Sequence, residues 1–200
     1  MVKEIRIYIE GDSRLRVGFG QFLDRLRSQV REKRIRWEII LCGSRIESFD
    51  NFKIALETHL DAFNVLLVVA EERVDNKPWA HLKKRDDWQK PNGCSDDHCH
   101  LMEQAMEAWF LADLEALEDY YGQGFNSNPI PRGQNVEEIE KDRLISILQE
   151  ATKHTSKKAY HKVKHASSIL GKLREDVVRS RASHCERFFA MLEAIINPGA

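Results

Sequence analysis

Asn64-Val65-Leu66-Leu67-Val68-Val69-Ala70 is a near-continuous apolar run rich in β-branched residues. A run of this length and character predicts a parallel strand covered on both faces. Upstream, Lys3-Glu4-Ile5-Arg6-Ile7-Tyr8-Ile9-Glu10 alternates polar and apolar side chains, the period of a strand. It ends at Gly11-Asp12-Ser13, where Asp12 or Ser13 can cap a helix. Phe19, Phe22, Leu23 and Leu26 then recur at helical spacing through a basic segment that ends near Arg34. Trp37-Glu38-Ile39-Ile40-Leu41-Cys42 reads as a second strand, and residues 47–60 read as a helix striped with Phe49, Phe52, Leu56 and Leu60. The order βαβαβ predicts an α/β fold with a mainly parallel sheet flanked by helices.

Downstream, Lys77-Pro78-Trp79 opens a short helical segment that runs to Trp88, and a polar loop covers residues 90–97. Leu101, Met102, Met106, Trp109, Phe110 and Leu117 predict one long helix from about His98 to Tyr121, with Asp97 as its N-cap. In that reading His100 and Glu107 lie on one helical face, two turns apart. Residues 122–133, with Pro129 and Pro131, form a loop and the best boundary candidate. The expected organisation is an α/β core over 1–125 and a basic helical C-terminal extension over 134–200 packed on it, within one domain or two.

The 200 residues carry 31 Lys+Arg and 32 Asp+Glu, a net charge of −1. That near-neutrality conceals an asymmetry, because residues 151–200 hold 10 basic and only 4 acidic side chains. An asymmetry of this kind raises the question of a polyanionic partner. No uncharged run approaches the roughly 20 residues needed to cross a bilayer, so no membrane association is expected. The opening residues lack a secretory h-region, and the four cysteines are irregularly spaced. Together these predict a cytoplasmic protein with reduced thiols. No Gly-rich phosphate loop and no Gly-x-Ser-x-Gly elbow occurs, which excludes P-loop nucleotide hydrolysis and serine hydrolase chemistry. Gly18-Phe19-Gly20 lies too deep in a helical pattern to act as such a loop.

Ligands of parallel sheets bind beyond the carboxyl ends of the strands. Glu10 and Asp12 fall at the end of the first strand, and Glu71, Glu72 and Asp75 at the end of the third. If the strands are neighbours, these carboxylates meet as oxygen ligands of the kind Mg²⁺ prefers. Cys94, His98, Cys99 and His100 match no common structural zinc spacing. Lys157, Lys158, His161, Lys162 and Lys164, interleaved with Tyr160, suit contacts to a phosphate backbone.

Several stretches resemble the bacterial domain-of-unknown-function family 4276. They are Ile7-Tyr8-Ile9-Glu10-Gly11, Lys77-Pro78-Trp79-x-His81-Leu82, His98-x-His100-Leu101-Met102, Met106-Glu107-Ala108-Trp109-Phe110-Leu111-Ala112-Asp113, Tyr120 to Phe125, and Tyr160-His161-Lys162. That family looks like a branch of the Toprim superfamily. The resemblance implies a Toprim-like fold in which Glu10, and acidic residues after the third strand, hold Mg²⁺ or Mn²⁺. Where it implies an Asp followed two residues later by a Glu, this chain carries Ala70 and Glu72, with Glu71 between them.

The implied activity is metal-dependent cleavage of DNA or RNA phosphodiesters. Glu10 would act as base or metal ligand and Glu72 as metal anchor, while His100 and Glu107 line the crevice. The resemblance also implies a setting in anti-phage defence beside an ABC-type ATPase. A homo-oligomer is compatible with the sequence. The competing reading is a catalytically weak Toprim-like interaction or sensor subunit that binds an ATPase or nucleic acid without cleaving it.

Overall fold

The computed structural model describes residues 2–74, 77–133 and 135–199. Four parallel strands, β1 (Glu4–Ile9), β2 (Arg36–Leu41), β3 (Ala62–Val69) and β4 (Cys99–Met102), form a sheet of order β2-β1-β3-β4. Strand order reverses between β1 and β3, because β2 is added on one side of β1 and β3 on the other. The alternation in β1 and β3 then sorts their side chains between two layers. Ile5, Ile7, Ile9, Val65 and Leu67 face one layer, while Tyr8, Leu66 and Val68 face the other.

The second layer is closed by α3 (Arg45–Thr58) and α4 (Pro78–Asp86) through Phe49, Phe52, Trp79 and Leu82. The first is closed by α1 (Arg16–Phe22) and α2 (Asp24–Glu32), which a break at Leu23 separates. It also takes in α5 (Glu107–Ala112), α6 (Leu114–Tyr121), α7 (Lys141–Thr152), α8 (Lys162–Leu170), α9 (Glu175–Arg181) and α10 (Ser183–Ile196). The C-terminal helices share their apolar core with β1 and β3: Phe22 lies edge-on to Phe189, with ring centroids 5.4 Å apart. Among the described residues no helix is long and apolar enough to cross a membrane.

The long helix expected from His98 to Tyr121 is absent. Ser95, not Asp97, caps a single turn over Asp96–His98, and Cys99–Met102 leaves it as β4 beside β3. The chain then turns through Gln104, whose φ is +59°. Lys141 N–H donates to the Gln104 side-chain oxygen at 3.1 Å, and Gln104 N–H donates to the Glu72 carbonyl at 3.3 Å. Helix resumes only at Glu107 and is broken again at Asp113. His100 and Glu107 therefore stand on different elements and share no helical face.

Candidate functional site

Glu10 follows the last residue of β1, at the point where strand order reverses. Its carboxylate reaches across to β3 and accepts the Val69 N–H at 2.9 Å, while its own N–H donates to the Leu67 carbonyl. Burial pushes the Glu10 carboxyl above its usual range, against the opposing pull of the Val69 N–H and the Arg45 guanidinium. Beside it, Gly11 and Gly43 exchange backbone hydrogen bonds and tie the loops after β1 and β2 together.

A cleft of about 270 Å³ opens above these strand ends. Its lining includes Glu10, Asp12, Arg14, Val69 and Met102 from the sheet side, and Met106, Lys162, Val163 and Ser167 from the helical side. The acidic strand end and the start of the basic segment, far apart in sequence, thus meet on one surface. Of the five phosphate-contact candidates, Lys162 is the one that lines this cleft. Its ammonium lies 3.3 Å from Glu107 Oε1, which also accepts the Tyr160 hydroxyl at 3.0 Å. Glu107 itself is buried, and its Oε2 has no partner. Lys164, Lys157 and Lys158 are exposed; Lys157 sits over the Tyr120 ring, and the His161 N–H donates to His165.

Of the other acidic candidates, Asp12 shares the cleft with Glu10 while Glu71 and Glu72 lie in a different groove, and Asp12 and Glu71 are already paired with cationic side chains. Asp12 caps the turn at Ser13–Leu15 and pairs with Arg14, which brings its carboxyl down to about 2. Glu71 pairs with Lys141 and Arg85, and the Lys141 ammonium chiefly holds its carboxyl below the usual range. Glu72 is half-exposed, 3.7 Å from the buried His81 imidazole. Glu71 and Glu72 belong to a separate groove with Gln104, Glu140 and Lys141. Asp75 lies outside the described residues.

His100 is fully buried on β4 and does not line the cleft. Its Nε2 is 3.1 Å from the Asp97 carbonyl, and its Nδ1 is 3.1 Å from Arg187 Nη1. A carbonyl only accepts and a guanidinium only donates, so this network assigns the neutral Nε2–H tautomer. Burial, followed by Arg187, brings its pKa down to about 3. His100 is a packed, hydrogen-bonded core residue.

Among the described residues the donor set does not fit a divalent ion as it stands. Among the described residues no three His, Cys, Asp or Glu side chains come together as a metal cluster. Ala70 supplies no ligand, and a guanidinium already contacts Glu10. That guanidinium belongs to Arg45, which the sequence reading missed. Its signal was the capping box Ser44-x-x-Glu47, which starts α3 at the carboxyl end of β2 and places Arg45 on the sheet's ligand-binding edge.

Four parallel strands in this order, covered by helices on both faces, make an α/β domain of Toprim-like (Rossmann-like) fold. The C-terminal region of the Burkholderia pseudomallei OLD protein is similar in fold, with a TM-score of 0.52 at 10% identity. The alignment covers 98% of this chain and 100% of that one. No curated protein matches the chain. Residues 19–193 match the model of domain of unknown function family DUF4276, and the chain belongs to that family.

Proposed function

We propose that this Toprim-like domain binds the phosphodiester backbone of nucleic acid in the cleft over β1 and β3, without cleaving it. The observation that carries this reading is the joint lining of the cleft by Glu10, Arg14 and Lys162. Phosphate contacts would come from Lys162 and Arg14, with the exposed Lys157, Lys158 and Lys164 extending the basic track. Arg45 offsets the charge of Glu10 from behind, so the carboxylate does not face an incoming phosphate alone. Metal-dependent cleavage through Glu10 and Glu72 is the competing reading. It is disfavoured because those two carboxylates line different depressions.

Fluorescent DNA and RNA oligonucleotides test this by anisotropy over a salt series. Lys162→Ala is expected to weaken binding uniformly across sequences and reduce the slope of log K against log[salt] by about 0.7–0.9. Lys53→Ala, on α3 across the sheet, is expected to leave both unchanged. An unaltered slope for Lys162→Ala would remove the cleft from the binding surface. Strand cleavage in Mg²⁺ or Mn²⁺ that disappears in Glu10→Gln would replace the binding reading with the nuclease one.

A further inference from the structure

Arg45 is the first residue of α3, and its side chain is only 14% exposed. Its Nε and Nη2 hold the two oxygens of Asp86 at 3.0 and 2.7 Å, a bidentate fork. Its Nη1 donates to the Val69 carbonyl and lies 3.4 Å from Glu10 Oε2. The indole of Trp88 covers the guanidinium at 5.1 Å. One largely covered cation thus gathers two carboxylates and a main-chain carbonyl from the end of β1, β3 and α4. Hard oxygen donors of this type, drawn from three elements, are also what a divalent ion collects.

The geometry points to Arg45 as the resident cation of the site, filling with a guanidinium the place a divalent ion would otherwise take beside Glu10. A planar fork suits this role, because it satisfies Asp86 bidentately and still presents an edge to β3. Arg85 donates to the same Val69 carbonyl at 3.5 Å and pairs with Glu71, so the β3 end holds a second guanidinium. Two carboxylates this little exposed cannot stay charged without a counter-ion at small cost. Removing the Arg45 charge leaves both without their shared counter-ion and open to a cation from solution. The inference stands on these contacts and does not depend on nucleic-acid binding.

The test is a Mn²⁺ titration of the full chain, followed by calorimetry and by thermal unfolding in EDTA or Mn²⁺. Wild type is expected to unfold at the same temperature in both media. Arg45→Gln is expected to unfold earlier in EDTA and to recover with Mn²⁺, binding it on the order of tenfold or more tightly than wild type. Glu10→Gln added to Arg45→Gln should abolish the recovery, and Arg45→Lys should need no metal. Wild-type Mn²⁺ binding that is lost in Glu10→Gln would overturn the assignment even if Arg45→Gln failed to fold. So would an Arg45→Gln protein that folds and gains no Mn²⁺ affinity. Loss of oligonucleotide binding in Lys162→Ala leaves all these outcomes untouched, so the two readings fail separately.

Discussion

Asp113→Ala is expected to lower the thermal unfolding midpoint by roughly 6–12 °C, corresponding to about 3 kcal/mol for a chain of this size. Asp113 sits between α5 and α6 with no exposed surface. Its carboxylate accepts the Ala116 N–H at 3.2 Å and so caps α6. It also accepts the Arg174 N–H at 2.9 Å, Nε at 3.0 Å and Nη2 at 2.7 Å, which fixes the residue that precedes α9. Alanine removes the cap, worth about 1 kcal/mol, and strands buried donors at about 1–3 kcal/mol each. The total is held near 3 because the Arg174 side chain is 45% exposed and retains Glu115. Scanning calorimetry decides it: a drop below about 2 °C would mean that the network contributes little.

The pH dependence of the same pair has a definite sign. Burial raises the Asp113 carboxyl, but the bonds from Arg174 and the Ala116 N–H outweigh it and leave the folded value depressed. A depressed carboxylate contributes its stability above the unfolded pKa, about 3.9, and loses it as pH falls through the folded value. The gap between wild type and Asp113→Asn should therefore be constant from about pH 5 to 8 and narrow below about pH 4.

Periodicity made most of the sheet legible and hid one strand. β1, β2 and β3 announce themselves by alternation or by a continuous apolar run bounded by turn residues. β4 has four residues and abuts the apolar stripe of α5 and α6, so Cys99–Met102 and Met106–Leu117 read as one helical pattern. Neither Gly nor Pro interrupts residues 99–121. The break is made by Gln104, held in the left-handed region by Lys141 and Glu72, contacts that local sequence does not encode. Glu10 was legible because a strand must end there. Arg45 was not, because its partners Asp86 and Val69 come within reach only once β3 has paired with β1.

Two glycines in α1 that look alike should respond in opposite directions. Gly20→Ala is expected to stabilise by about 0.5–1 kcal/mol, because alanine restricts the unfolded chain and a Cβ there meets nothing within 4 Å. Gly18→Ala should destabilise by about 1–3 kcal/mol despite the same helical advantage. A Cβ on Gly18 would stand 2.5 Å from the Ser167 carbonyl oxygen and 3.1 Å from Leu170 Cβ, so the α8 backbone must retreat. The Gly18 N–H also donates to Ser167 Oγ at 3.2 Å, satisfying one of the free donors in the first turn of α1. This close approach seats α8, and α8 carries Lys162, Val163 and Ser167 into the cleft. Gly18→Ala should therefore lower both the unfolding midpoint and oligonucleotide affinity, whereas Gly20→Ala raises the first and leaves the second unchanged. Equal responses of the two variants, measured by calorimetry and anisotropy, would mean that α8 is not held by this contact. The Gly18-Phe19-Gly20 stretch, excluded as a phosphate loop, then has its role in packing: one glycine admits the helix that brings the basic segment to Glu10.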